Sequence, residues 1–399
     1  MIEKITYYYK NNGLLRTCKW LFFKPWNILS KKINIYKSIN LKNGNIKDIS
    51  NIKEKRVFIF AGVPYFDIGG GQRSSQLAKE FNKLGYDVIY IYNTPSNESK
   101  IYKLEFPTVI HKYIKKFSIE EYKELIKKND MVIFEVPSKN YLEYLELSRL
   151  NNLKIVYENI DNWESLGKDF LDKEVLKKFL SNADLITATA KPLKEQIDNY
   201  LKEFKIKDKK VIYLANAVND NLFDPDKPYD MPNDLILGNK TFLYYGSLWG
   251  SWFDWDIIKE ISSLDKNYKI YLIGDDRNID SIKNNLSKNV VFLGLKKQSE
   301  LPAYLKYVDY ALLPFKTDTI GNYVSPLKIF EYISMNKNVI ATCLPDIVGY
   351  PNTYFVRNIK DLKEIIKEDK EVDIVKRNEF IKNNNWNNRV SVIIKELEV

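Results

Sequence analysis

Short apolar runs recur along most of the chain, each followed by a loop and a helix with one apolar face. The first run, Arg56 to Val63 (RVFIFAGV), is typical of a strand buried on both sides. A glycine-containing loop, an amphipathic helix over Gln72 to Leu84 and a second strand (DVIYIY) follow, and Gly85 ends the helix. This order of strand, helix and strand predicts a parallel sheet.

The same alternation continues through two halves of the chain. Pro225, Pro228 and Pro232 mark residues 224–240 as the hinge between them. We therefore predict an α/β protein with two doubly wound sheets, whose ligands sit at the carboxyl ends of the strands. Further predicted strands are Asp130–Glu135, Lys154–Tyr157, Ala183–Thr189, Lys210–Leu214, Thr241–Tyr245, Lys269–Ile273, Asn289–Leu293 and Tyr310–Pro314.

The segment from Tyr323 to Ile340 (YVSPLKIFEYISMNKNVI) contains the strongest candidate for ligand binding. Pro326 suits the first turn of a helix, and the free N–H groups of such a turn bind phosphate oxygens. Lys328 adds a positive charge there, and Glu331 follows three residues later on the same face. A lysine on phosphate and a carboxylate on ribose would bind a nucleoside diphosphate. The alternative is that both are ordinary surface residues of the helix.

The sequence SPLKIFEY, followed by a short helix and NVIAT, resembles the donor-site signature of retaining GT-B glycosyltransferases of the family-4 type. Similar variants act in teichuronic-acid, capsule and O-antigen assembly. The resemblance covers roughly residues 55 to 395, and ANAVNDNLFDPD is similar to the turn between the two halves in that family. It implies two Rossmann-like domains facing each other across a cleft. The implied division is an arm (1–50), an acceptor domain (51–223), the hinge (224–240), a donor domain (241–380) and a helix crossing back to the first domain (381–399).

The resemblance also implies the residues of the site. The donor-binding group is Gly246, Ser247, Gly274, Asp275, Gly294, Ser325, Pro326, Leu327, Lys328 and Glu331. A loop facing the cleft and the transferred sugar contains Gly70, Gly71, Gln72 and Arg73. This loop lacks the dinucleotide pattern GxGxxG, and a purely structural glycine turn remains an alternative for it.

Three positions depart from the family pattern. The first of two glutamates in the usual motif is replaced by Tyr323, which we keep as a candidate catalytic residue. The usual histidine is absent after KIVY, and Asp161 is the first candidate to face the reacting sugar, with Glu158 second. Both could instead cap a helix beginning near Trp163. The single histidine, His111, is predicted to be structural or exposed.

The third departure concerns the loop after TFLYY, which lacks the basic residue that family members usually carry. The missing positive charge could come from Arg73 or Lys316. Alternatively, the backbone N–H groups of Gly246 and Ser247 could bind more of the diphosphate.

No metal or other cofactor is expected, because the nucleotide sugar is a substrate and the diphosphate can be neutralised by basic groups. Asp254-Trp255-Asp256 matches the metal-binding DxD pattern of another glycosyltransferase class. A helix cap and a favourable first-turn charge explain these carboxylates equally well. The motifs of zinc proteases, P-loop enzymes and serine hydrolases are absent from the sequence.

The net charge of +10 is concentrated at the amino terminus. Residues 1–47 contain ten lysines and arginines against Glu3, and these alternate with Trp, Phe and Leu. Such a segment suits the surface of an anionic membrane. A docking arm on the catalytic body and a nucleic-acid contact are the alternatives. Two distant cysteines, Cys18 and Cys343, suit a reducing cytosol, and neither a signal peptide nor a transmembrane run is predicted.

Together these features predict a metal-independent, retaining glycosyltransferase of polysaccharide biosynthesis. It would move a sugar from a nucleotide donor to a cell-surface glycan or lipid-linked acceptor, at the cytoplasmic face of a bacterial membrane, without binding nucleic acid. Two alternatives remain open: a nucleotide-sugar epimerase or phosphorylase on the same scaffold, and a non-catalytic partner subunit.

Overall fold

The structure is a computed structural model that describes residues 55–95, 110–165, 171–248, 250–276, 279–316, 323–342 and 344–398. The predicted basic arm, residues 1–50, and its membrane contact lie outside these residues. Within them, no helix has the length and apolar character needed to cross a membrane.

The first sheet has seven parallel strands in the order β3-β2-β1-β4-β5-β6-β7. Its strands are β1 (Arg56–Ala61), β2 (Asp87–Tyr92), β3 (Ile110–Tyr113), β4 (Met131–Phe134), β5 (Lys154–Asn159), β6 (Leu185–Ala188) and β7 (Lys210–Tyr213). The helices along this part are α1 (Arg73–Lys83), α2 (Ile119–Leu125), α3 (Leu142–Leu150), α4 (Lys173–Asn182) and α5 (Lys191–Glu203). Strand β1 pairs with β2 on one side and β4 on the other, so the strand order reverses there.

The second sheet has six parallel strands in the order β10-β9-β8-β11-β12-β13. Its strands are β8 (Thr241–Tyr245), β9 (Lys269–Ile273), β10 (Val290–Gly294), β11 (Tyr310–Leu313), β12 (Asn338–Ala341) and β13 (Thr353–Phe355). Its helices are α6 (Trp255–Leu264), α7 (Asp280–Lys283), α8 (Leu301–Tyr307), α9 (Leu327–Ser334), α10 (Ile359–Glu368) and α11 (Ile374–Asn383). Here the strand order reverses between β8 and β11.

The predicted α/β fold with two parallel sheets is confirmed, because the apolar runs form buried strands. Every residue of β1 and β2 is buried, as expected for strands covered by helices on both faces. Strands β3 and β13 were not predicted. The first has the mixed sequence IHKY and the second has three residues, so neither contains a continuous apolar run.

The last helix, α12 (Trp386–Glu396), follows the second sheet in sequence but packs against the first. Its apolar face meets α1 in a cluster that contains Trp386, Val390 and Leu77. On the same helix, the Arg389 guanidinium donates to the Ala215 carbonyl oxygen at 2.7 Å, just after β7. The chain end is thereby joined to the first sheet.

Candidate active site

A cavity of about 600 Å³ lies between the carboxyl ends of the two sheets. Parallel sheets place their ligands at this position because loops leave the strands there in opposite directions. The predicted residues that line the cavity are Gly71, Gln72, Arg73, Asp161, Gly246, Ser247, Gly274, Asp275, Ser325, Pro326, Leu327, Lys328 and Glu331. The sequence had placed them in both halves of the chain, and the structure brings them together.

Lys328 lies in the first turn of α9, which begins after Pro326 as the sequence predicted. Its ammonium lies over two aromatic rings, 5.4 Å from the Tyr244 centroid and 5.1 Å from the Phe315 centroid. In the described part of the chain, no carboxylate forms an ion pair with it. Burial lowers the pKa of Lys328 to about 8, although the nearby Glu331 carboxylate acts in the opposite direction.

Two glycines give Lys328 its space. Gly246 ends β8 with φ +139°, and a Cβ there would lie 2.9 Å from Cε of Lys328. Gly274 ends β9 with φ +147°, and a Cβ there would lie 1.8 Å from the Gly246 carbonyl oxygen. Both strand ends therefore need residues without a side chain, because the backbone and the lysine occupy the volume.

Glu331 is buried one turn after Lys328 and lines the same cavity. The Tyr245 hydroxyl donates to its Oε2 at 2.5 Å, and the Gln298 side-chain amide donates to its Oε1 at 3.0 Å. Burial raises the pKa of Glu331 to about 7, while these two hydrogen bonds act to lower it. A carboxylate has about four acceptor positions, so it can still accept hydroxyl groups of a ligand.

Arg73 and Glu158 form a buried ion pair on the first-sheet side. The Nη2–Oε1 distance is 2.8 Å, and the two side chains are 3% and 1% exposed. Arg73 also donates to the Ala215 carbonyl oxygen at 3.1 Å, and Glu158 also accepts from the Thr187 hydroxyl at 3.2 Å. Arg73 lines the cavity, but its charge already has a protein partner, and Glu158 lies behind the cavity wall.

The predicted role of Glu158 facing the reacting sugar is therefore corrected: it is enclosed because it pairs with Arg73. Tyr323 is also absent from the cavity lining and packs instead against Ala188 at the end of β6 and against Ala190 and Leu193 at the start of α5. Gly70 and Gly294 lie beside the lining residues, and Gly70 supplies a carbonyl oxygen to Gln76 at 2.7 Å.

The three alternatives for the missing basic group fare differently in the structure. Arg73 is paired with Glu158. Lys316 is exposed and does not line the cavity. The Gly246 N–H is already donated to the Ile273 carbonyl oxygen at 2.9 Å. Ser247 lines the cavity, so its N–H stays a candidate beside Lys328 and the N–H groups of the first turn of α9. Lys296 also lines the cavity, but it is paired with Asp234.

Asp161 lies two residues after the end of β5 and lines the cavity. Burial raises the pKa of its carboxyl to about 6. Residues 163–165, which follow it, form turns, and the cap of a helix in this segment stays an alternative.

Sequence reasoning missed several residues of the site, and four of them hold its polar groups or join its two sides. Glu135 follows β4, Tyr245 and Gln298 hold Glu331, and Asn216 joins the two sheets through its donation to the Ser325 carbonyl oxygen at 2.6 Å. The position of Glu135 directly after a buried strand was the available signal for it. The other three have no local pattern, since their partners are far away in sequence.

The remaining candidates have structural roles. Asp254 caps α6 by accepting from the Asp256 N–H at 3.0 Å, and Asp256 pairs with Lys259. Within the described ranges, no group of three or more His, Cys, Asp or Glu is placed to hold a metal ion. His111 is structural, as predicted: its Nε2 accepts from the Tyr65 N–H at 3.2 Å, and burial lowers its pKa to about 3.

Comparison with known proteins agrees with this geometry. Residues 239–368 match the family profile of Glycosyl transferases group 1. TuaH of Bacillus subtilis (strain 168), a protein assigned to teichuronic acid biosynthesis as a glycosyltransferase, is 27% identical over 207 residues. The match covers 48% of this chain and 51% of TuaH, so it spans about half the length of that relative.

Solved structures extend the likeness to both sheets. A glycosyltransferase from Rickettsia africae has a TM-score of 0.59 at 16% identity, covering 87% of this chain and 100% of its own. Alr3699/HepE from Anabaena, solved with UDP-glucose, has a TM-score of 0.52 at 15% identity, covering 86% of this chain and 95% of its own. This chain therefore has the fold of the GT-B glycosyltransferases, and its residues 239–368 form a Glycosyl transferases group 1 domain.

Proposed function

We propose that this protein is a retaining glycosyltransferase that moves a sugar from a nucleotide donor to a glycan or lipid-linked acceptor. The observation that carries the proposal is the ammonium of Lys328. It lies in a cavity between two sheets, at a helix start, without an ion pair among the described residues. A buried cation without a counter-ion is costly unless an anionic ligand completes it.

A nucleoside diphosphate fits these groups. Lys328 and the first turn of α9 would neutralise the departing diphosphate, and Glu331 would accept hydrogen bonds from the ribose hydroxyl groups. This arrangement needs no metal ion to balance the phosphate charge. Retention and the family-4 assignment rest on the sequence resemblance, and a nucleotide-sugar donor is supported by the UDP-glucose complex of Alr3699/HepE.

The two walls of the cavity suggest separate roles for the two domains. Residues 241–380 would form the donor domain and residues 51–223 the acceptor domain, with residues 224–240 as hinge. Asp161, on the acceptor wall, would face the reacting sugar, and Gly71 and Gln72 would border it. The group 1 family match lies on the donor side, which agrees with this division.

A panel of donors tests the proposed activity. UDP-, GDP- and dTDP-sugars would be incubated with the purified chain, and both nucleotide affinity and slow donor hydrolysis would be measured. We expect one nucleobase to bind and one sugar to be released without added metal and in the presence of a chelator. If no nucleoside diphosphate binds, the enzyme assignment fails and a non-catalytic role is favoured.

We further propose that residues 1–47 hold the protein on the anionic inner face of a membrane. The ten basic residues and interspersed aromatic residues of this segment support the idea. Deleting residues 1–47 should abolish sedimentation with liposomes that contain phosphatidylglycerol. Nucleotide affinity should stay the same, since the cavity residues lie elsewhere in the chain. Continued liposome binding by the truncated chain would contradict this role.

A further inference from the structure

The Glu135 carboxyl group stands at the point of the first sheet where the strand order reverses. It follows β4 directly, and β4 lies beside β1. Gly62 follows β1, and its N–H donates to Oε2 of Glu135 at 2.9 Å. In doubly wound sheets the crevice at such a reversal is the usual ligand position.

Glu135 is 3% exposed and lines the cavity opposite the donor residues. The bond from the Gly62 N–H fixes one oxygen, and a carboxylate has further acceptor positions for a ligand. A hydroxyl group of the acceptor substrate that enters the cavity from the first-sheet side would meet the Glu135 carboxylate, whose position is fixed and which accepts hydrogen bonds. A rigid group of this kind orients a hydroxyl without loss of side-chain freedom on binding.

The charges of this wall select the kind of acceptor. Glu135 and Asp161 both present carboxyl groups to the cavity, whereas the cation of the same wall, Arg73, is paired with Glu158. A carboxylate or phosphate on the reacting sugar would be repelled by the carboxyl groups and would find no unpaired cation on this wall among the described residues. An uncharged sugar is not repelled by the carboxyl groups and needs no cation as a partner.

We propose that Glu135 binds the acceptor by accepting a hydrogen bond from its reactive hydroxyl, and that the reacting acceptor unit is an uncharged sugar. This inference rests on the proposed glycosyltransferase function and adds the chemical class of the second substrate. Donor binding does not depend on it, because Lys328 and Glu331 lie on the other wall.

Saturation-transfer NMR on the full chain with saturating UDP tests the inference. The probes are the methyl glycosides of glucose, galactose, mannose and N-acetylglucosamine, together with methyl glucuronide. We expect at least one neutral glycoside to bind at least tenfold more tightly than the glucuronide. Glu135→Gln, which keeps the shape of the side chain, should lower the affinity for the neutral glycoside at least fivefold. It should also reduce the ratio of the neutral-glycoside affinity to the glucuronide affinity. A purely structural role would not change the ratio.

Glu195→Gln is the matched control, because Glu195 is an exposed residue of α5 outside the cavity. It should leave both affinities within twofold of the unchanged chain. UDP affinity, measured in parallel, distinguishes a wrong role for Glu135 from a wrong proposed function. If UDP binds but no neutral glycoside does, or if Glu135→Gln leaves the ratio unchanged, the role of Glu135 is wrong and the proposed function stands. If none of UDP, GDP and dTDP binds, the proposed function fails first.

Discussion

Three cations of the described residues line the cavity. Lys296 is paired with Asp234 at 2.6 Å, and the other two, Arg73 and Lys328, have opposite surroundings. Arg73 is held by the Glu158 carboxylate at 2.8 Å and by the Ala215 carbonyl oxygen at 3.1 Å. Lys328 lies over two aromatic rings and forms no ion pair with the described residues. The charge of Arg73 is balanced by an ion pair, whereas Lys328 has only the nearby Glu331 carboxylate, which forms no ion pair with it among the described residues.

This difference assigns a purpose to each side. A buried charge with its own partner contributes to the structure, because either member becomes costly once the other is removed. A cation in a cleft without a partner marks a place for an anionic ligand. In the functions proposed above, the first sheet would offer carboxyl groups to a neutral acceptor, and the second would offer a cation to a diphosphate.

Replacing Arg73 should have the largest effect on stability. Arg73→Ala leaves Glu158 buried without its partner, and we expect the free energy of unfolding to fall by about 3–5 kcal/mol. Urea denaturation followed by circular dichroism measures the change. The control is Arg149→Ala, which removes a half-exposed pair with Asp184 and should cost about 1 kcal/mol or less. A loss of the same small size in both variants would contradict the structural role of Arg73.

The pH dependence of nucleotide binding comes next in size. Because burial lowers the pKa of Lys328 to about 8, its ammonium loses the proton as the pH rises through 8. The phosphates of UDP stay ionised in this range, so the contribution of Lys328 to the affinity should fall about tenfold per pH unit above 8, or about a hundredfold by pH 10. Titration calorimetry between pH 6.5 and 10 measures this.

Lys328→Arg serves as the control for the pH series, because a guanidinium stays charged throughout the range. Its UDP affinity changes with pH only through other groups, such as Glu331 with a pKa of about 7 and the uracil ring, so the ratio of the two affinities isolates the charge of Lys328. An unchanged ratio up to pH 10 would show that the charge of Lys328 is not used.

The smallest expected effect is on stability, and it comes from the hydrogen bond that Tyr245 donates to Glu331. Tyr245→Phe removes the hydroxyl that donates to Oε2, and we expect a loss of roughly 1.5 kcal/mol in the free energy of unfolding. The pKa of Glu331 should also rise further, since this bond acts to lower it. Tyr304→Phe is the control, because its partner Asp234 is 41% exposed and the loss should be smaller. Equal stability of Tyr245→Phe and the original chain would contradict this support.

Much of the fold was predictable because each strand of a covered parallel sheet is a continuous apolar run. RVFIFA and TFLYY show this pattern plainly, and both form central strands. Strand β3 lacks it because His111 and Lys112 sit within a four-residue edge strand. Its neighbours decide its conformation, and local sequence does not reveal them.

The site residues also differ in whether local sequence predicts them. Lys328 and Glu331 were predictable because a proline, a lysine and a glutamate occupy one helix start. The partner of Arg73 was not, since Glu158 lies 85 residues away and the pairing depends on how β5 sits beside the start of α1. The same holds for Gln298, which reaches Glu331 across 33 residues. Contacts between residues far apart in sequence decide which charged groups are free to bind a ligand. A local sequence pattern does not predict these contacts.

The affinity of UDP for Lys328→Ala tests the central claim most directly. By isothermal titration calorimetry at pH 7, the variant should bind UDP more weakly by roughly 1.5–3 kcal/mol, the usual size of a charge-assisted hydrogen bond. Lys363→Ala, on the exposed face of α10, should bind within twofold of the original chain. Equal UDP affinity in all three proteins would contradict the claim that Lys328 is kept without a partner in order to bind a diphosphate.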